Sequence, residues 1–172
     1  MKNIILGVTG SIACYKACEI ASALTQKGYS VYTVMTEGAL QFIQPITFRA
    51  LTGNPAYTDV FGEESHVKLA KDTDLIVVAP ATASFISKLA SGIASDLLIL
   101  TIISSKAPVL ICPAMNENMY RNKIIQDNIA KLKGYGYQFL GPYKGWLSCG
   151  YEGEGRLADV EDIINKVEEM LR

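Results

Sequence analysis

The sequence is poor in the features that mark several functional classes. It has one histidine, one tryptophan and four cysteines in 172 residues. Its 16 basic and 17 acidic residues nearly cancel, leaving a formal charge of −1. A surface that binds a nucleic-acid backbone needs a basic patch, so the charge argues against that class. No apolar run reaches the roughly 20 residues of a membrane-spanning helix, so no membrane partner is expected. The opening MKNIILGVTG lacks the length and cleavage site of a secretory signal and reads as a first strand, which makes the cytoplasm the expected location. With no internal repeat, low-complexity segment or linker, residues 1–172 are expected to form one domain.

The cysteines are even in number, but without a signal they read as reduced. Cys14 and Cys18 lie four apart on a predicted helix and no second ligand pair follows, so no metal site is expected. With Cys112 they read as small buried hydrophobes. Cys149 differs, because it lies between Ser148 and Gly150 in a glycine-rich stretch, where a free thiol packs poorly and reactivity becomes the better explanation.

What the chain does have is an alternation of strands and helices. Asn3 to Val8, Ser30 to Met35, Leu75 to Ala79 and Val109 to Cys112 are mainly apolar runs that read as strands, and Leu75 to Ala79 is unbroken, the pattern of a strand buried on both faces of a parallel sheet. Pro80 ends the third of these runs. Short strands are expected at Ala56 to Val60 and Tyr137 to Leu140. Helices are expected up to Lys27 with Ser11 as N-cap, then over Ala39 to Ile43, Ile46 to Leu51, the stretch SHVKLAKD, Ala83 to Ala90, Asp96 to Ile103, Ile124 to Leu132 and Asp159 to Leu171. The Asp96 to Ile103 helix is apolar enough to be either core or an oligomer interface. Gly141 to Asp159 reads as a long flexible loop with a function.

Such an α/β chain is expected to be doubly wound, and open sheets of that kind bind ligands at the carboxyl ends of their strands. Three strand ends, at Gly10-Ser11, Thr36 and Pro80 to Ser84, together with Pro113 to Asn116, are expected to line one crevice. The first turn offers helix N–H groups to a phosphate, without the GxGxxG spacing of a dinucleotide site; it is equally an ordinary βα turn. Asn116 could read a carboxylate or a flavin edge, or cap a helix. Met115 and Met119 read as packing. His66, the single histidine, could transfer protons near neutral pH or sit at the surface near a helix start.

Taken together, these pieces resemble the flavin-containing cysteine decarboxylases. The resemblance rests on Gly10-Ser11-Ile12-Ala13 with Tyr15-Lys16, on Pro45-Ile46-Thr47-Phe48, on His66, on the PATAS stretch, on Gly92-Ile93-Ala94 with Asp96-Leu97-Leu98, on PAMNENMY, and on Cys149-Gly150 with Gly153, Gly155 and Arg156. It implies a flavodoxin- or Rossmann-like three-layer sandwich and FMN as cofactor. The phosphate would lie on Gly10, Ser11 and Ile12 with help from Thr36, and the ring system on Thr82, Ala83, Ser84, Phe85 and Ala114. His66 and Cys149 take the catalytic positions, Cys149 as proton donor on a flap. Asn116 and Met119 take the substrate positions, Asn116 gripping the carboxylate. Arg156 orients the flap or binds phosphate.

The family reaction oxidises a cysteinyl group to a thioaldehyde, releases CO2 to leave an enethiol, and in the coenzyme A branch reduces it again. A Cys-Gly flap points to that branch, with 4′-phosphopantothenoylcysteine as the small-molecule substrate. A ligase step on a separate protein and a homotrimer or homododecamer are further implications. The same resemblance leaves open a peptide cysteine decarboxylase of lantibiotic type and a non-catalytic FMN-binding regulator. A flavin prenyltransferase is disfavoured by PAMN and the Cys149 flap. One departure stands out: the family reads Asn-Thr where this chain has Ser84-Phe85, and Phe85 is expected to crowd or stack on the flavin.

Overall fold

The structure, a computed structural model, describes residues 1–62 and 66–172. Its central sheet contains β1 (Asn3–Val8), β2 (Ser30–Met35), β3 (Ala56–Tyr57), β4 (Leu75–Ala81), β5 (Val109–Pro113) and β6 (Gln138–Phe139). The strands are all parallel and run in the order β3-β2-β1-β4-β5-β6. The order reverses between β1 and β4, so the crevice of this doubly wound sheet opens there. β4 is buried at all seven positions, which is why its sequence shows no polar alternation.

The helices are α1 (Cys14–Gln26), α2 (Pro45–Thr52), α3 (His66–Lys71), α4 (Ala83–Ala90), α5 (Leu97–Ser104), α6 (Glu117–Arg121), α7 (Lys123–Gly134) and α8 (Val160–Met170). One core lies between the sheet and α1, α2 and α8, and includes Ile20, Leu24, Phe48, Ile163 and Val167. The other lies beneath α3, α4, α5 and α7, and includes Leu69, Phe85, Ile86, Leu98 and Ile129. Helix α5 belongs mainly to this second core: Leu97, Leu98, Ile99 and Ile102 are buried and Ile103 alone of its apolar ends is half-exposed. Gly7 of β1 makes room for it, since a Cβ there would come within 2.6 Å of the Leu98 side chain.

Several expectations need correction. Ser11 is not the N-cap of α1; the chain makes one more turn first, and Ala13 occupies the cap with no side-chain bond. The apolar run of β4 continues through Pro80 to Ala81 instead of stopping at Pro80, with a register irregularity between Val78 and Ala81. β3 is two residues long, and the Ala39 to Ile43 segment is a short 3-10 turn over Ala39–Gln41. Ser65, the first residue of the expected SHVKLAKD helix, lies outside the described residues.

The largest correction concerns Gly141 to Asp159. It is an ordered antiparallel hairpin, β7 (Tyr143–Trp146) and β8 (Glu152–Arg156). Three of its glycines, Gly145, Gly153 and Gly155, serve packing. A Cβ on Gly155 would lie 2.0 Å from the Met115 carbonyl oxygen, and one on Gly145 would lie 2.7 Å from Arg156 Nε. A side chain at 155 would push the hairpin away from the Met115 backbone, and one at 145 would displace the Arg156 side chain across the strand pair, so a composition that reads as flexible is imposed by close contact.

Candidate active site

A cleft of about 900 Å³ opens at the carboxyl ends of β1, β2, β4 and β5, within the size range of small-molecule sites. Its first wall is the β1–α1 turn. Gly10 lies against Gly38 backbone to backbone, so that a Cβ on Gly10 would come 2.8 Å from the Gly38 carbonyl carbon. The Ser11 N–H bonds back to Thr9 O at 2.8 Å, and Ser11 Oγ accepts the Ala13 N–H at 3.2 Å. The N–H groups of Gly10 and Ile12 make no hydrogen bond to the described residues. They lie at the cleft beside the start of α1, where the helix dipole favours an anion. Thr36 lines the same wall from the end of β2.

Thr9 joins this wall to the next. It is buried; its hydroxyl donates to Pro80 O at 2.7 Å and accepts the Thr82 N–H at 3.0 Å. The ends of β1 and β4 are thereby fixed to each other across the point where strand order reverses. Thr82 caps α4 by accepting the Phe85 N–H at 3.2 Å. Ala83 is buried and Ser84 exposed at the cleft. Phe85 lines the cleft, but its side chain is 3% exposed and belongs to the core under α4 instead of standing out as a stacking ring. Ala114 is held by its N–H to Ala81 O at 3.0 Å.

The far wall joins residues 113–121 to the hairpin. Asn116 caps α6 by accepting the Asn118 N–H at 2.9 Å, and its Nδ2 donates to Tyr151 Oη at 3.0 Å and Cys149 Sγ at 3.6 Å. The Met115 N–H donates to Gly155 O at 3.0 Å, and the Glu154 N–H to Glu117 Oε1 at 3.2 Å. Arg121 pairs with Glu117 at 2.9 Å, holding that carboxylate in place. Cys149 is exposed at the hairpin tip and lines the cleft. Met119 is half-exposed and also lines it, so it is not packing.

Arg156, at the end of β8, lines the cleft and is tied to the residues that follow the hairpin. Its guanidinium forms two hydrogen bonds to the Asp159 carboxylate and lies 5.9 Å from the centre of the Tyr143 ring. The bond to Arg156 holds the Asp159 carboxyl below its ordinary pKa. Tyr143 in turn donates to Asp162 of α8 at 2.9 Å, and that bond raises the phenol pKa.

His66 stands apart from the rest. It opens α3, is partly buried, and does not line the cleft of its own chain. The other cysteines are separate from the site's chemistry: burial pushes the thiols of Cys14, Cys18 and Cys112 up, away from thiolate formation. Among the described residues no group of three His, Cys, Asp or Glu side chains could hold a metal ion.

Three positioning residues escape sequence reasoning. Thr9 leaves a faint signal as a threonine between a buried strand and a glycine. Glu117 is visible only as an acidic first-turn residue with Arg121 four positions on. Tyr151 leaves none.

A family model described as Flavoprotein matches residues 1–172. The chain belongs to the Flavoprotein family. This flavoprotein is 47% identical over 172 residues to the "Coenzyme A biosynthesis bifunctional protein CoaBC" of Bacillus subtilis, covering 97% of the chain and 42% of that relative. The chain thus spans less than half of that bifunctional protein. It is 43% identical over 177 residues to the "Probable phosphopantothenoylcysteine decarboxylase" of Streptococcus mutans, covering 99% of both. Among solved structures it resembles a PPC decarboxylase variant complexed with pantothenoylaminoethenethiol. That match has a TM-score of 0.90 and 25% identity, and covers 98% of this flavoprotein and 97% of the other chain.

Proposed function

We propose that this flavoprotein is an FMN-dependent decarboxylase that converts 4′-phosphopantothenoylcysteine to 4′-phosphopantetheine in coenzyme A synthesis. The observation that carries the reading is the meeting of Asn116 Nδ2 and Cys149 Sγ, 3.6 Å apart, in the same cleft as the Gly10 and Ile12 amides.

The residues present fit the cofactor. Gly10 and Ile12 offer main-chain donors to a phosphate, with the Ser11 hydroxyl and Thr36 alongside, and the closeness of Gly10 to Gly38 keeps side chains out of that cradle. Thr82, Ala83, Ser84 and Ala114 present small groups and backbone to a flat ring, while Phe85 supports them from the core. When bound, the flavin supplies a reversible two-electron acceptor for the cysteinyl group.

The chain's own residues bind, orient and protonate. The Asn116 amide grips the carboxylate that is lost. Met119 lines the substrate side. Cys149 gives its S–H proton to the carbon that held the carboxylate, keeping the electron pair on sulfur. Overall the carboxylate leaves as CO2 and one proton takes its place. Arg156 orients the flap through Asp159, the role its ion pair favours over phosphate binding. His66, outside the cleft of its own chain, is supplied by a neighbouring copy in a homotrimer or homododecamer. A ligase, as a separate protein or a fused domain, supplies the substrate. Residues 1–172 act as one flavoprotein domain in the cytoplasm.

The purified protein is expected to be yellow, with the absorbance bands of bound flavin, and to release CO2 anaerobically from phosphopantothenoylcysteine. FMN-loaded protein that leaves this substrate untouched would overturn the reading. Turnover of a peptide ending in cysteine would point instead to the lantibiotic type, and no turnover of either to a non-catalytic regulator.

A further inference from the structure

The Asn116 side chain is engaged at every polar position. Oδ1 accepts from Asn118 N, and the two N–H bonds of Nδ2 face the Tyr151 hydroxyl and Cys149 Sγ. The cap on Oδ1 fixes which end of the amide is nitrogen, because a flipped amide would turn its NH2 against the Asn118 N–H. The two Nδ2 contacts are unequal. A bond to a phenol oxygen at 3.0 Å is an ordinary one, whereas a neutral thiol sulfur accepts weakly. Asn116 and Cys149 line the cleft, while Tyr151 stands behind them.

The Tyr151 ring is held independently of its hydroxyl. The Tyr151 carbonyl accepts the Leu147 N–H at 2.9 Å, and the ring lies so close over Gly153 that a Cβ there would come within 3.1 Å of it. The hydroxyl is therefore presented to Asn116 by the hairpin.

We propose that Tyr151 is a positioning residue for the decarboxylation: its hydroxyl holds one N–H of Asn116, so that the second N–H passes between Cys149 Sγ and the substrate carboxylate. This deepens the decarboxylase reading and rests on it. An ionised carboxylate is a far better acceptor than a thiol, so it takes the second N–H on binding and releases Cys149 toward the substrate. Departure of CO2 vacates that N–H. It is then available to the sulfur that has given up its proton, where the acceptor is an anion. One amide donor thus serves the carboxylate first and the thiolate last, provided that Tyr151 keeps its nitrogen in place.

The test compares FMN-loaded wild-type and Tyr151→Phe proteins in steady-state turnover of phosphopantothenoylcysteine, with products weighed by mass spectrometry. The variant is expected to retain its flavin content and Tm. It should show a KM raised about fivefold or more, a lower kcat, and release of the enethiol, two hydrogens lighter than the normal product. The electrons kept on the cofactor then pass to dissolved dioxygen. An active wild type beside a variant with unchanged KM and product mass overturns the role of Tyr151 alone. A variant that loses Tm or flavin without enethiol release also overturns it, in favour of a structural role. A flavin-loaded wild type that does not decarboxylate the substrate overturns the underlying reading and this proposal with it.

Discussion

The two sides of the cleft are built from different materials. The Gly10–Gly38 side is made by main chain: strand ends, a helix N-terminus and two glycines in contact. The Asn116–Cys149 side is made by side chains, on a short helix and a hairpin joined by hydrogen bonds. A site made by main chain tolerates changes of side chain, and this accounts for Ser84 and Phe85. Ser84 contributes exposed backbone and a small group, and Phe85 turns into the core. A site made by side chains has no such latitude, so single atoms decide its chemistry.

The contrast breaks most clearly at Cys149. Replacing it by serine is expected to lower formation of the reduced product by about 10²–10⁴-fold, the usual worth of a positioned acid, while flavin absorbance stays unchanged. Product mass and the visible spectrum of one sample check both halves. Next comes Gly10→Ala, which presses a methyl group on the Gly38 backbone from 2.8 Å. It should cost about 1–3 kcal/mol in packing and raise the Kd for FMN at least tenfold, measured by fluorescence titration, without changing the alkylation rate of Cys149. A retained FMN affinity would mean that the main-chain cradle is not the phosphate site.

Phe85→Thr, which restores the residue usual in the family, sharpens the comparison from the core side. It removes a buried ring and should lower stability by roughly 3 kcal/mol in urea unfolding, with a smaller effect on flavin affinity. Ser84→Asn, at an exposed position, should change stability by less than about 0.5 kcal/mol.

The smallest effect lies at the opposite end of the sheet. Asp74 accepts the Asn3 N–H at 2.7 Å and pairs with Lys2 at 3.1 Å, and these, in that order, hold its carboxyl below the ordinary carboxylate pKa. A depressed folded-state pKa adds stability above the unfolded value, near 4, and that contribution is lost as pH falls toward the folded one. Asp74→Asn should therefore flatten the acid side of the Tm profile below about pH 4 and leave the pH dependence of turnover unmoved.

The same division decided what could be read from sequence. Strand and helix positions were legible because each apolar run lies between two helical layers, and β2 and α4 match their expected ranges residue for residue. The main-chain side of the cleft was legible too, since strand ends in an open sheet converge whatever their side chains. The hairpin was not. Gly145, Gly153 and Gly155 look like flexibility until their neighbours are seen, and those neighbours are distant in sequence or across the strand pair. The bonds from Asn116 to Tyr151 and Cys149 span more than thirty residues and leave no local pattern. The core position of α5 likewise depended on Gly7, some ninety residues earlier.

The contact between Gly155 and Met115 also bears on how ligands come and go. The hairpin is fastened along its strands, by the Met115 N–H, by Glu117 and by the Tyr143–Asp162 bond. Swinging it out as a body would break all three at once. The tip, residues 147–151, between the end of β7 and the start of β8, is tied as well, by the Leu147 N–H to Tyr151 O and by Asn116 to Tyr151 and Cys149. Opening the cleft at the tip therefore means breaking the Asn116 contacts themselves, so ligand entry there is coupled to those bonds.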